Sequence, residues 1–209
     1  HPIQHPAAEA GHDDPVECSN AFGRRLIAMA TMNDPVKLHA LGITHFRAGR
    51  LAEAAQAFAE AYPMAEAAGD RQKAAEILND LGVAQRELGD WTAAGAALQK
   101  AYALYAEMGN VKGKAQVLGN LGNVEEGQEH YPEAADAYKQ SAQLFEEIGD
   151  SDSAMFVWQA LSRMRLKQKE WLPAIAAYEE GIEAMPEGSL KKGLLKRLMT
   201  LPANWLRRG

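Results

Sequence analysis

Apolar and small residues recur along this chain at a period of 40. Leucine falls at Leu41, Leu81, Leu121 and Leu161, followed by Gly42, Gly82, Gly122 and then Ser162. Gly49 and Gly89 come seven residues later, and that column lapses at Glu129 and Lys169. Alanine recurs at Ala54, Ala94, Ala134 and Ala174, with a bulky residue four further on: Phe58, Leu98, Tyr138 and Tyr178. A small residue follows three beyond that, at Ala61, Ala101, Ser141 and Gly181. Gly69-Asp70, Gly109-Asn110 and Gly149-Asp150 close the units. Self-similarity at this period marks a repeat architecture, in which each unit buries its apolar face only against its neighbours.

Each unit reads as two helices. In the second unit, Ala75, Leu78, the adjacent pair Leu81-Gly82, and Leu88 recur at steps of three, four and seven residues over about 71–88, as the stripe of an amphipathic helix. Ala94, Ala97, Leu98, Ala101, Leu104 and Tyr105 give the second helix, over about 92–108, its own stripe. A glycine inside a helix costs up to ~1 kcal/mol relative to alanine, so its recurrence predicts close approach of a partner helix. Gly89 suits a left-handed helix end, and Asp90 suits the cap of the helix that follows. Trp91, Tyr131 and Trp171, with Leu51 in the first unit, are expected to act as wedges between helices. Abundant alanine and few β-branched residues favour helix over strand.

The pattern predicts an all-α, right-handed superhelical solenoid of antiparallel helix pairs, with four full repeats and flanking capping helices. The expected organisation is a disordered leader over 1–13, a capping helix over 14–33, and repeats over 34–70, 71–110, 111–150 and 151–188. A basic closing helix and tail follow over 189–209. Asp14-Pro15 and Asp34-Pro35 both look like helix starts, with aspartate as the cap and proline at the first helical position. In the closing helix, Leu194, Leu195, Leu198 and Met199 are expected to face inward.

Charge narrows the functional classes. The chain has 209 residues, with 22 Lys and Arg against 28 Asp and Glu, for a net charge of -6. Six of the bases (Lys191, Lys192, Lys196, Arg197, Arg207 and Arg208) follow Ser189, and no acid follows Glu187, so the body is more acidic than the total. Such a body repels phosphates, which argues against nucleic-acid binding. Cys18 is the only cysteine, so no intrachain disulfide can form. That fits the cytoplasm, and a periplasmic location stays open because the chain begins at His1 and its native start is expected to lie upstream. No apolar run is long enough for a membrane span.

Catalytic chemistry is not visible. The serines have no glycine-rich elbow, and the glycines recur between or inside helices instead of opening a phosphate-cradling turn. His39 and His45 are six apart, off a common helical face. His12-Asp13-Asp14 is a weak metal candidate, and Glu125, Glu126 and Glu129 read as a solvated acidic patch. No cofactor and no catalytic residue is expected.

The small-leucine-glycine, alanine, aromatic and alanine columns resemble the tetratricopeptide repeat (TPR). The resemblance covers 34–185. The 40-residue period, the Gly-Asp linkers and Gly119-Asn120-Leu121-Gly122-Asn123 resemble the long-unit subgroup typified by spindle-orientation adaptors. Kinesin light chains and many bacterial proteins have similarly long units. The resemblance implies a concave groove that binds extended peptides or helices of partner proteins. It places groove residues on the first helix of each unit, around the Leu-Gly pair. These are His39, Ala40, Ile43 and Phe46; Asn79, Asp80, Val83 and Arg86; Gly119, Asn120, Asn123 and Glu126; and Gln159, Ala160, Arg163 and Leu166. Gln116 and Phe156 join them from six residues before the glycine position.

Among these, Asn79, Asn120, Asn123 and Gln159 offer both donor and acceptor and could clamp a ligand's main chain. Asn120 could equally bond a neighbouring helix. Arg86 and Arg163 would suit a ligand carboxylate, or stay solvated. Chaperone-binding members of the family clamp a terminal carboxylate with lysine and asparagine in the first unit. His39 and Ile43 stand at those places, so a chaperone C-terminal peptide is not expected. The reading is a non-enzymatic interaction scaffold with a protein or peptide partner, as a monomer or weakly self-associating. A self-assembling structural protein, or a regulatory module of a larger protein, is the alternative.

Overall fold

The computed structural model describes residues 34–197. The expected leader and first capping helix, together with Cys18, Leu198, Met199 and the end of the tail, lie outside them. Eight helices run in order: α1 Pro35–Arg47, α2 Leu51–Ala67, α3 Arg71–Glu87, α4 Trp91–Glu107, α5 Val111–Gly127, α6 Tyr131–Glu147, α7 Ser151–Lys167 and α8 Trp171–Glu183. A ninth, α9, covers 190–197. From α1 to α8 each helix packs on the next, and the first helices of neighbouring units also touch, α1 on α3 and α3 on α5. There is no strand among the described residues.

Capping sets the helix starts. The side chains of Asp34, Asp70, Asp90, Asn110 and Asp150 each accept a backbone N–H of the first turn, as from Ala93 to Asp90 at 3.1 Å. The ends are uniform as well. Gly49, Gly69, Gly89, Gly109 and Gly149 have φ between 65 and 81°, and Glu129 and Lys169 take the same left-handed turn at 63°. The lapsed glycine column therefore changes the residue and keeps the conformation. Paired bonds hold the turn: Glu129 N–H donates to Glu126 O at 3.1 Å and His130 N–H to Glu125 O at 2.9 Å. This is the two-bond closure of a Schellman motif.

The helical glycines do what their recurrence predicts. A Cβ on Gly82 would lie 2.6 Å from Leu98 Cγ, and one on Gly122 would lie 2.6 Å from Tyr138 Cδ1. On Gly42 it would lie 2.4 Å from Phe58. The glycine and bulky columns, 16 residues apart, thus pack directly on each other. In the fourth unit Ser162 fills the space, and its hydroxyl donates to Ala174 O at 2.8 Å.

Among the described residues the core forms three clusters. The first runs from Leu38 to Val124 and includes Phe58, Ile77, Leu98 and Tyr105. The second, around Tyr138, Phe145, Trp158 and Met164, joins α5 to α8. The third consists of Met155, Ile182 and Met185. Trp91 is a wedge as expected, since a Cβ on Gly127 would lie 2.3 Å from its ring. Trp171 is not: it is 63% exposed. In unit two the partner position is 36 residues on, which for Trp171 is residue 207, outside the described residues. Leu88 and Leu194, expected on apolar stripes, are also exposed: Leu88 caps α3 after its last full turn, and in α9 it is Leu195 that packs on the core. Lys192 seals the end of α8: its ammonium is buried and donates to Glu183 O at 2.8 Å and Met185 O at 3.0 Å.

Candidate functional site

The first helices line one side of the solenoid. A single groove of about 870 Å³ runs along it, from His39 on α1 to Arg163 on α7. The second helices supply its floor with Tyr105, Tyr138, Ser141 and Phe145. Of the residues expected there, His39, Asn79, Asp80, Arg86, Gln116, Asn120, Asn123 and Arg163 all line it, as do Gly119, Phe156 and Ala160. Gln159 sits half-buried on α7 outside the lining. Ala40, Ile43, Phe46, Val83, Glu126 and Leu166 are not part of the lining either. Phe46 and Ile43 pack against the first core cluster instead.

Several of the polar groups bind one another across units. His39 Nε2 lies 2.8 Å from Asp80 Oδ2, Asn79 Nδ2 donates to Asp80 Oδ1 at 3.3 Å, and Asn120 Nδ2 donates to Asn79 Oδ1 at 2.9 Å. This ladder ties α1, α3 and α5 together. Its rungs join residues 41 apart, and so does the Lys167–Glu126 ion pair at 2.5 Å. Asn120 therefore does bond the neighbouring helix. Asn123 donates to Gly119 O at 3.0 Å and accepts the Tyr138 hydroxyl at 2.9 Å. His39 is buried and its ring lies 5.4 Å from that of Phe58.

Other groups stay open to the groove. Gln116 is exposed, Phe156 is 65% exposed, and the Arg163 guanidinium stands 6.0 Å over the Phe156 ring. Arg86 reaches Glu87 beside it. The two ends differ in charge: Glu76 and Asp80 flank Tyr105, while Arg86 and Arg163 bear on Tyr138 together with Glu126. Burial, reinforced by Glu76 and Asp80, pushes the Tyr105 hydroxyl up to about 12. Burial and Glu126 push the Tyr138 hydroxyl well above the usual phenol range, against the opposing pull of Arg86 and Arg163.

Sequence reasoning missed Glu76, Tyr105, Tyr138, Ser141, Phe145, Val157, Asp152 and Ser153 as groove residues. Glu76 occupies the same column as Gln116 and Phe156, so that signal was present. Tyr105 and Tyr138 read only as core because they lie on second helices. Glu126 is not part of a merely solvated acidic patch, since it accepts the Tyr138 hydroxyl at 3.0 Å and pairs with Lys167. Among the described residues no cluster of three metal-ligating side chains occurs, and no helix is long and apolar enough to cross a membrane.

Stacked antiparallel helix pairs with glycine-bulky interlocks and a groove along the first helices define a TPR-like repeat scaffold. The family model described as "Soluble NSF attachment protein, SNAP" matches residues 38–199, and the chain belongs to that family. Solved structures share the fold. MamA is 21% identical with a TM-score of 0.59, over 77% of this chain and 83% of MamA. The TPR-like repeats of a kinesin light chain from Podospora anserina are 13% identical with a TM-score of 0.61, over 74% of this chain and 78% of that one. A chain of the Cut9–Hcn1 hetero-tetramer of APC/C is 25% identical with a TM-score of 0.58, over 78% of this chain and 30% of that one. No curated protein sequence matches significantly.

Proposed function

We propose that this chain holds a partner protein by binding one of its segments in the groove. The observation behind this reading is the groove itself. It crosses the first helices of four consecutive units, stays open along its length and carries amides, carboxylates and guanidinium groups beside an exposed phenyl ring. An apolar small molecule would need a more enclosed and less charged site. An extended segment or helix offers main-chain and charged groups that match these side chains. The family's name describes attachment of another protein, and the Cut9–Hcn1 structure is a complex of two proteins; both fit a scaffold role.

The ladder from His39 through Asp80 and Asn79 to Asn120 shapes the wall, and Gln116, Asn123, Phe156, Arg86 and Arg163 meet the ligand. The test is affinity capture with wild type and with the triple variant Gln116→Ala, Phe156→Ala, Arg163→Ala. All three side chains are exposed, so the variant keeps the fold. Partners held by wild type are expected to be lost from the variant. Equal recovery on both would move binding off the groove.

A further inference from the structure

One end of the groove carries more negative charge than its own cations balance. Glu76 and Asp80 lie one turn apart on α3, and both side chains are about one-third exposed, at 36% and 35%. Glu76 accepts from Gln72 Nε2 at 2.9 Å and from Lys73 Nζ. Asp80 takes His39 and Asn79. Each carboxylate oxygen thus has one partner and keeps a free lone pair. Lys73 is the one lysine or arginine bonded to the pair among the described residues.

The floor at this end is Tyr105. Its side chain comes from α4, packs on Gly113 and is only 4% exposed. Its hydroxyl faces the groove and has no hydrogen-bond partner among the described residues. The other buried phenol, Tyr138, has two partners. The ring is buried while the hydroxyl opens onto the groove, where it is free to take a partner from outside. Burial does most to raise the Tyr105 ionisation, and Glu76 and Asp80 add to it a negative field that a cation would relieve.

We propose that Glu76, Asp80 and Tyr105 form a subsite for a lysine or arginine side chain of the partner segment. The carboxylates accept its N–H groups, and the phenol oxygen accepts one more from below. Arg86 and Arg163 repel such a side chain at the far end, so it fixes which way along the groove the segment's charges run. This rests on the groove being the binding surface.

The test is to pan a phage-displayed random dodecapeptide library on the full chain and titrate the selected peptides calorimetrically. The variants are Glu76→Gln, Tyr105→Phe and the triple groove variant above. Peptides that depend on the groove are expected to be rich in Lys or Arg. Their affinity should fall about tenfold in Glu76→Gln and about five-fold in Tyr105→Phe, each for one lost hydrogen bond of its kind. Both substitutions preserve shape, and unchanged circular dichroism verifies the fold. Groove-dependent peptides with no basic preference, or indifferent to both substitutions, overturn the subsite and leave the groove reading intact. If every selected peptide binds the triple variant as well as wild type, the groove reading fails and the subsite with it.

Discussion

Replacing Glu129 or Lys169 by glycine is expected to stabilise the protein. Both residues end a helix at φ 63°, where the equivalent positions in the other two turns of this kind are Gly49 and Gly89. A side-chain-bearing residue pays roughly 1–2 kcal/mol for the left-handed conformation. Glycine gives back about 0.5–1 kcal/mol through its larger freedom in the unfolded chain. Neither the Glu129 nor the Lys169 side chain makes a hydrogen bond or ion pair among the described residues, and both are exposed, so nothing else is lost. The net gain is about 0.5–1 kcal/mol per site, or ~1–4 °C in melting temperature for a domain of this size. The sites lie a full repeat apart and should add. Thermal melting followed by far-UV circular dichroism reads the effect, with Gly89→Ala as the control of opposite sign. Two glycine variants that melt at or below wild type, with Gly89→Ala no worse than wild type, would show that these turns carry no conformational strain.

Gly122→Ala should cost about 1–2 kcal/mol in urea unfolding, because overpacking against Tyr138 outweighs the gain in helix propensity. A stabilised variant would mean that the helices separate at no cost. Tyr105 gives a pH dependence. Its folded ionisation lies at about 12 against 10.0 in the unfolded chain, so its contribution is intact below pH 10 and is lost as pH climbs toward 12. Tyr105→Phe should flatten the stability profile over that window; an unchanged profile would place the phenol in contact with bulk water.

The repeat pattern made most of the architecture legible, because packing here is local and periodic. The glycine at position 82 and the leucine at 98 can be paired from the columns alone, and the aspartate caps follow from their place after glycine. The turns at Glu129 and Lys169 were harder, since backbone bonds and the flanking helices, not residue preference, decide the conformation there. The groove was legible as far as family resemblance placed it on first helices. What the columns do not reveal is that neighbouring units meet at a spacing of 41 on this face, one more than the repeat. That offset makes Asn120 a partner of Asn79, and Glu126 a partner of Lys167. Tyr105 was hidden for another reason. It belongs to the core and also lines the groove, and residue type does not separate the two.

The division of the interior into three apolar clusters gives this scaffold a direction of failure. Units that touch only their neighbours can open one at a time. Among the described residues just three buried side chains, Met155, Ile182 and Met185, make up the cluster nearest the C-terminal end, so peeling should start there with α8 and α9. The acidic end of the groove, anchored by Ile77, Leu78 and Tyr105 in the largest cluster, would be the last part to let go of a captive chain.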